Sequence, residues 1–325
     1  MKTNKIAWLS VLQGWAMLLV VLGHIDLNNN AIDSSHPVAN LIHSTIYGFH
    51  MPLFMFISGF LFYMTRISKN KPYKDTMVDK LKRLYIPMIF FTIATFVPKV
   101  VLAPIMKHPA EVSFNYLMDV FVLYKTNPLA EMWFIVSLIV LMSLYPLYKS
   151  VNRSKVMECA LLIISFILCI SNIECRYFQL GHVAYMLVFF YGGILTCKYN
   201  VQKYLNNIYS LSISVALFAI INIALPHLPI LTNFIGIIFS FTLCENISKY
   251  IPNLFSSYRN YTYQIFLMGI FFQMGVRYLY GKEQSVIPYW ILYLLSIAVG
   301  VYMPVLISKA IKKLNNKYIN ICFGL

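Results

Sequence analysis

Charge is what this sequence has least of. Asp, Glu, Lys and Arg make up 11% of its 325 residues, 59% are hydrophobic and the mean hydropathy is +0.69, whereas a soluble domain is typically about 25% charged. A soluble globule is excluded. The six cysteines (Cys159, Cys169, Cys175, Cys197, Cys244, Cys322) form no C-x-x-C pair and no metal-ligand spacing, so they read as small apolar residues and no metal is expected. There is no G-x-S-x-G around a serine. Alternating segments of about ten residues, the mark of a membrane β-barrel, are missing too. No linker, low-complexity tract or internal repeat divides the chain, which predicts one integral membrane domain over residues 1–325. A cleavable signal is not expected, because the first apolar run is long and ends in Gly23-His24-Ile25-Asp26 rather than in a small-residue cleavage site.

What the chain has instead is long apolar runs. A hydrocarbon core about 30 Å thick needs roughly 20 helical residues to cross. Apolar windows predict an all-α polytopic membrane bundle of about ten transmembrane helices, over 6–25, 41–63, 84–106, 131–149, 156–173, 183–199, 208–225, 230–248, 261–280 and 289–308. The third span carries Pro98, Lys99 and Pro104 and is expected to kink there or end early. Phe114 to Tyr124 is apolar but too short to cross.

With the N-terminus cytoplasmic, 20 of the 26 basic residues fall on the inner side: Lys2 and Lys5, the Arg66–Arg83 segment, Lys149 to Lys155, Lys198 and Lys203, Lys249 and Arg259, and Lys309 to Lys317. The exceptions are Lys99, Lys107, Lys125, Arg176, Arg277 and Lys282. This asymmetry predicts a multi-pass protein of a bacterial-type cytoplasmic (inner) membrane with both termini cytoplasmic. It also accounts for the formal charge of +15 through anionic lipid rather than nucleic acid.

Against that apolar background the histidines stand out. His24 closes the first run, and His50 lies inside Phe49-His50-Met51-Pro52-Leu53-Phe54-Met55-Phe56-Ile57-Ser58-Gly59-Phe60. Ionisable groups at membrane depth are costly and face protein or water. Imidazole titrates near neutrality, so it can take a proton from a hydroxyl and return it to a leaving group. A buried histidine bonded to a backbone carbonyl is the plain alternative. His43, seven residues before His50, shares a helical face with it but reads as interfacial. Asp26 could orient His24 only if the helix ends there. Ser58-Gly59 reads as a small-residue helix contact rather than a nucleophile.

The segment between the second and third spans carries seven basic residues from Arg66 to Arg83 and ends as Lys80-Leu81-Lys82-Arg83-Leu84-Tyr85-Ile86-Pro87. Topology and lipid attraction explain such a cluster. So does a phosphate clamp, with Lys80, Lys82 and Arg83 as contacts to an anionic cytoplasmic donor such as coenzyme A.

Taken in order, these elements resemble acyltransferase family 3, membrane enzymes that O-acylate surface polysaccharides and envelope sugars. Leu12 to His24 is similar to that family's opening span with its Gly-His end, and Phe49 to Phe60 is close to its F-H-M-P-L-F-F-F-I-S-G-F pattern. Lys80 to Pro87 resembles the basic run before its third span, and Met132-Trp133-Phe134 its W-F element. The chain departs from the pattern at Ser10 and Gln13, where an acidic and a basic residue are common, and at Lys80, where Arg is common. It departs again at Gly269, where the segment Thr262 to Gly269 commonly ends in histidine.

The resemblance implies an acyl-CoA donor, acetyl-CoA first among them, bound through Lys80, Lys82 and Arg83. It implies His24 as the leading catalytic residue, and we expect His50 beside it. Expected partners are membrane lipid and a sugar-containing acceptor, with a homo-oligomer left open. The competing expectation is a transporter or flippase of ten apolar helices, which the missing internal symmetry disfavours.

Overall fold

The computed structural model describes residues 7–27, 36–101, 103–105, 110–225, 228–283 and 287–325. Lys2, Lys5, Lys107, the side chain of Lys282 and parts of the loops 28–40 and 107–130 lie outside the described residues. Among those described there are α-helices, short π and 3-10 turns, and no strand.

The helices are α1 (Ala7–Gly23), α2 (Pro37–Tyr47), α3 (His50–Phe62), α4 (Tyr73–Lys80), α5 (Ile86–Val101), α6 (Phe114–Phe121), α7 (Trp133–Ser143) and α8 (Tyr145–Val151). They continue as α9 (Lys155–Ile170), α10 (Leu180–Lys198), α11 (Gln202–Leu205), α12 (Ile208–Ala224), α13 (Pro229–Tyr250), α14 (Thr262–Glu283), α15 (Tyr289–Lys313) and α16 (Lys317–Cys322). Every expected span contains a helix. By length and composition, five continuous helical stretches among the described residues are long and apolar enough to cross a membrane, and a sixth if α7 and α8, bent by 48°, count as one. Helices α1 and α12 are apolar but shorter; at 1.5 Å per residue, α1 reaches only about 25 Å. Of the ten expected spans, five or six meet this test among the described residues, and shorter apolar helices stand at others.

Two differences from the sequence reading have a physical origin in proline. The Arg66–Arg83 segment, expected as a loop, is largely helical: it runs as a π turn over Tyr63–Ile67, a break, then α4, a second π turn over Leu81–Tyr85, and α5. Pro72 at the N-cap of α4 has φ −58°, so the break itself prepares the next helix. Pro87 lacks the N–H that the Arg83 carbonyl would receive, and the turn before it widens to π geometry. In the same way Pro52 cannot bond back to Gly48, and the helical hydrogen bonding is interrupted between α2 and α3 at Gly48–Phe49, although Gly48 keeps helical φ and ψ.

The chain divides into two compact units, 1–54 with 200–315, and 55–199 with 316–325. In the first, α1 packs on α13 and α14 while α14 lies along α15. Phe255 lies against Gly14, where an added Cβ would sit 2.5 Å from the Phe255 Cβ. The Tyr258 hydroxyl donates to the Gly14 carbonyl at 3.1 Å; burial pushes its phenol above the usual range, so it remains a donor. Trp15 Nε1 donates to Ser240 Oγ at 3.1 Å. Gly236 cradles the Phe49 ring, with Cβ space only 2.3 Å from it.

In the second unit α10 packs on α9 and α7. Its contact with the second half of α3 is backbone on backbone: a Cβ on Gly59 would meet the Phe190 carbonyl oxygen at 1.9 Å, and one on Gly193 the Phe56 oxygen at 2.0 Å. Gly59 is thus the close-approach residue its small size predicted. Glu158, buried, is paired with Lys198 and accepts from the Tyr199 hydroxyl, so its charge has a partner inside the unit. The outward side of α9 shows Ile163, Ile164, Phe166 and Ile167.

Candidate active site

Helix α1 ends at Gly23, so His24 stands one residue beyond it. Its ring turns back on its own helix, with Nδ1 2.9 Å from the Val20 carbonyl oxygen. His50 opens α3 and does the same, Nδ1 lying 3.1 Å from the Ile46 carbonyl oxygen. A carbonyl only accepts, so each Nδ1 carries a proton, and the nitrogen through which either ring would give up or take a further proton is Nε2. The two rings lie edge to face, centroids 5.8 Å apart at 89°. His50 is 1% exposed, and its Nε2 is buried with no hydrogen-bond partner. Gly23 lies beside the pair: a Cβ there would stand 3.6 Å from the His50 ring, in ordinary contact.

The sequence reading placed His43 at the interface; the structure brings it into the cluster. His43 hydrogen-bonds the Gly23 backbone and lies within electrostatic reach of Asp26 and His24. Tyr47 links the three rings, 5.0 Å from His43, 5.1 Å from His50 and 6.3 Å from His24. Tyr47 follows His43 by four residues and precedes His50 by three, a spacing from which its place could have been read. Asp26 faces His43, a partner the sequence reading did not assign to it. Behind the cluster, buried Gln273 of α14 donates from Nε2 to the Val21 carbonyl at 2.8 Å and fixes the last turn of α1.

Gly269, where the resembling family commonly has histidine, has no space for one. A Cβ there would meet the Gly300 carbonyl oxygen of α15 at 2.9 Å.

The basic residues lie in the second unit. Arg66 is ion-paired with Asp79, and its Nε is buried without a partner. Lys80, half-buried, has Arg66, Arg83 and Asp79 within electrostatic reach. Lys82 and Arg83 are exposed on the π turn. One carboxylate thus stands among Arg66, Lys80 and Arg83, which leaves an excess of positive charge. Arg66, seventeen positions before Arg83 in the chain, was part of the expected basic segment but not of the expected contacts.

Apolar helices, five or six of them long enough to cross a membrane among the described residues, and a pair of imidazoles each held through Nδ1 by a backbone carbonyl define an all-helical protein of membrane type. The family model for acyltransferase family 3, described as an acyltransferase domain, matches residues 6–309. The chain belongs to that family and is an acyltransferase, which decides between the enzyme and the carrier. No curated protein and no solved structure matches it.

Proposed function

We propose that this enzyme moves an acyl group, acetyl first among candidates, from cytoplasmic acyl-CoA to a hydroxyl of a cell-envelope sugar or polysaccharide. The observation that carries the reading is the tautomer set at His24 and His50, which leaves Nε2 as the basic atom of both rings. His24 Nε2 takes the proton from the acceptor hydroxyl as its oxygen forms a bond to the thioester carbonyl carbon. The carbon–sulfur bond breaks, and the proton passes to the departing thiolate, giving the ester and free coenzyme A. His50 stabilises the charged His24 ring or relays its proton. The thioester is already activated, so alignment and one proton transfer are the main tasks.

Arg66, Lys80, Lys82 and Arg83 are the proposed contacts for the phosphates of the donor, since guanidinium and ammonium groups make charge-assisted bonds to phosphate oxygens. Lys80 serves there as a point charge, without the two-pronged grip of an arginine. The apolar outward side of α9 supports insertion in lipid. The lysine and arginine distribution supports an inner-membrane location with cytoplasmic termini.

Purified protein given labelled acetyl-CoA and envelope glycans should transfer label to the glycan; glycan crossing vesicles unlabelled would count against the reading. The double variant Lys80→Gln, Arg83→Gln should raise KM for acetyl-CoA about tenfold or more, each lost charge-assisted bond being worth about 1.5–3 kcal/mol. Its kcat should change little, because phosphate contacts far from the thioester bind ground and transition states alike. Steady-state kinetics at two salt concentrations checks this, and an unchanged KM removes the donor assignment.

A further inference from the structure

A cavity of about 820 Å³ opens in the second unit where the end of α9, the segment 171–179 and the start of α10 meet Lys125. Ligand pockets commonly span about 300–1,000 Å³, so the space suits a short oligosaccharide segment. Its walls are held by backbone bonds: Phe178 N–H donates to the Leu123 carbonyl and Gly181 N–H to the Cys175 carbonyl, both at 2.8 Å. Gly181 is required for that closeness, because a Cβ would meet the Ile173 oxygen at 2.4 Å.

Two consecutive non-glycine residues on this wall, Phe178 (φ 49°) and Gln179 (φ 57°), are left-handed. Such strain persists only where the surroundings impose it, and it concentrates at functional sites. Its effect here is to aim the buried Gln179 amide. Nε2 donates to the Tyr124 carbonyl at 2.6 Å, which fixes the amide orientation, and Oε1 lies 3.0 Å from His182 Nδ1. The amide oxygen only accepts, so His182 carries its proton on Nδ1 and offers Nε2 as a hydrogen-bond acceptor. The ring is stacked on Trp133, centroids 4.3 Å apart. An imidazole held this way is prepared for a ligand O–H.

Charge and aromatic surface complete the lining. The Lys125 ammonium pairs with Asp119 at 3.1 Å and stands 4.3 Å above the Tyr177 ring. Exposed Arg176 lines the same space, with Glu174 as the acidic lining group. An acceptor nitrogen for hydroxyls and tyrosine faces point to a hydroxyl-rich ligand, and the lining's two cations, Arg176 and the Asp119-paired Lys125, against its one carboxylate, Glu174, to one that carries negative charge.

We propose that this cavity is a binding site for an anionic saccharide, one bearing carboxylate or phosphate groups, and that it grips the glycan chain that accepts the acyl group. The second part rests on the sugar-acceptor reading above. A polymeric acceptor can be held at one point of its length and modified at another.

The test is binding of the purified full-length protein, with no acyl donor present, to an array of uronate-containing, phosphate-bearing and neutral oligosaccharides. Retention on the anionic members is expected, with affinity lowered at least tenfold by Lys125→Gln with Arg176→Gln. His182→Phe keeps a ring on Trp133 but deletes the acceptor nitrogen, and should also weaken retention severalfold. Thermal melting of each variant at the wild-type temperature shows that the fold is kept. Equal binding of neutral and anionic glycans, retention only on anionic phospholipid vesicles, or binding untouched by these substitutions overturns the proposal. Binding without acylation would count against the transferase reading alone. Acylation of glycans that the variants still bind normally would count against the cavity alone.

Discussion

Replacement of His24 by alanine is expected to lower acyl transfer by about 10²–10⁴-fold, the range that a positioned general base contributes. The same variant should accumulate in the membrane at the wild-type level. The residue lies just beyond the end of α1 and is half-exposed, and its side-chain bond is to a carbonyl of its own last turn, so little packing is lost with it. Transfer from labelled acetyl-CoA, normalised to protein recovered in detergent, is the measurement. Retained activity would remove His24 as the base. His50→Gln extends the test, since a glutamine amide occupies a comparable space without a titratable nitrogen. If the two rings handle one proton together, the double variant should be scarcely slower than His24→Ala alone, because residues acting as a unit do not add.

The second large effect is structural. Gly193→Val is expected to prevent stable folding or to lower the melting temperature by about 10 °C or more, and Gly59→Val to do the same. Overpacking a core costs typically about 1–3 kcal/mol where side chains can shift. Here the atoms in the way are the carbonyl oxygens of Phe56 and Phe190, at 2.0 and 1.9 Å from the added Cβ, so α3 and α10 must separate along their contact. The control is the adjacent Gly192→Ala, whose Cβ would find its nearest neighbour, a Phe56 ring atom, at 4.0 Å; it should melt near the wild type. Fluorescence-detected thermal melting in detergent distinguishes the two neighbours. Equal melting of the Gly192 and Gly193 variants would show that the backbone contact is not what holds these helices together.

These two sites show what could be read from the chain. The positions of the helices follow from long apolar runs, and His24 and His50 were visible because ionisable side chains are conspicuous among leucines and phenylalanines. Gly59 was legible as a small contact residue, but its partner Gly193 was not, because the pairing depends on which helix arrives opposite it. The helical character of the Arg66–Arg83 segment was hidden behind its lysines and Pro72, which read locally as a loop, although a proline at the N-cap sets up the helix that follows.

His43 and Tyr47 escaped because the interface gives a sufficient reason for polar and aromatic residues at a helix end. The left-handed pair Phe178–Gln179 left no trace in the sequence at all, since neither residue is of a type that favours that conformation. The number of spans is legible only in part. Apolar windows mark helices reliably, but among the described residues α1, α9 and α12 have 16 or 17 residues, at the lower edge of what a crossing needs.

Both imidazoles of the proposed site take their bearings from a carbonyl one helical turn earlier in the same stretch of chain, Val20 for His24 and Ile46 for His50. Local winding therefore takes part in setting their aim. Loops around such a pair can diversify freely over evolution to admit new acceptors without re-sighting the base, whereas a single residue inserted between Val20 and His24 would misdirect it at once.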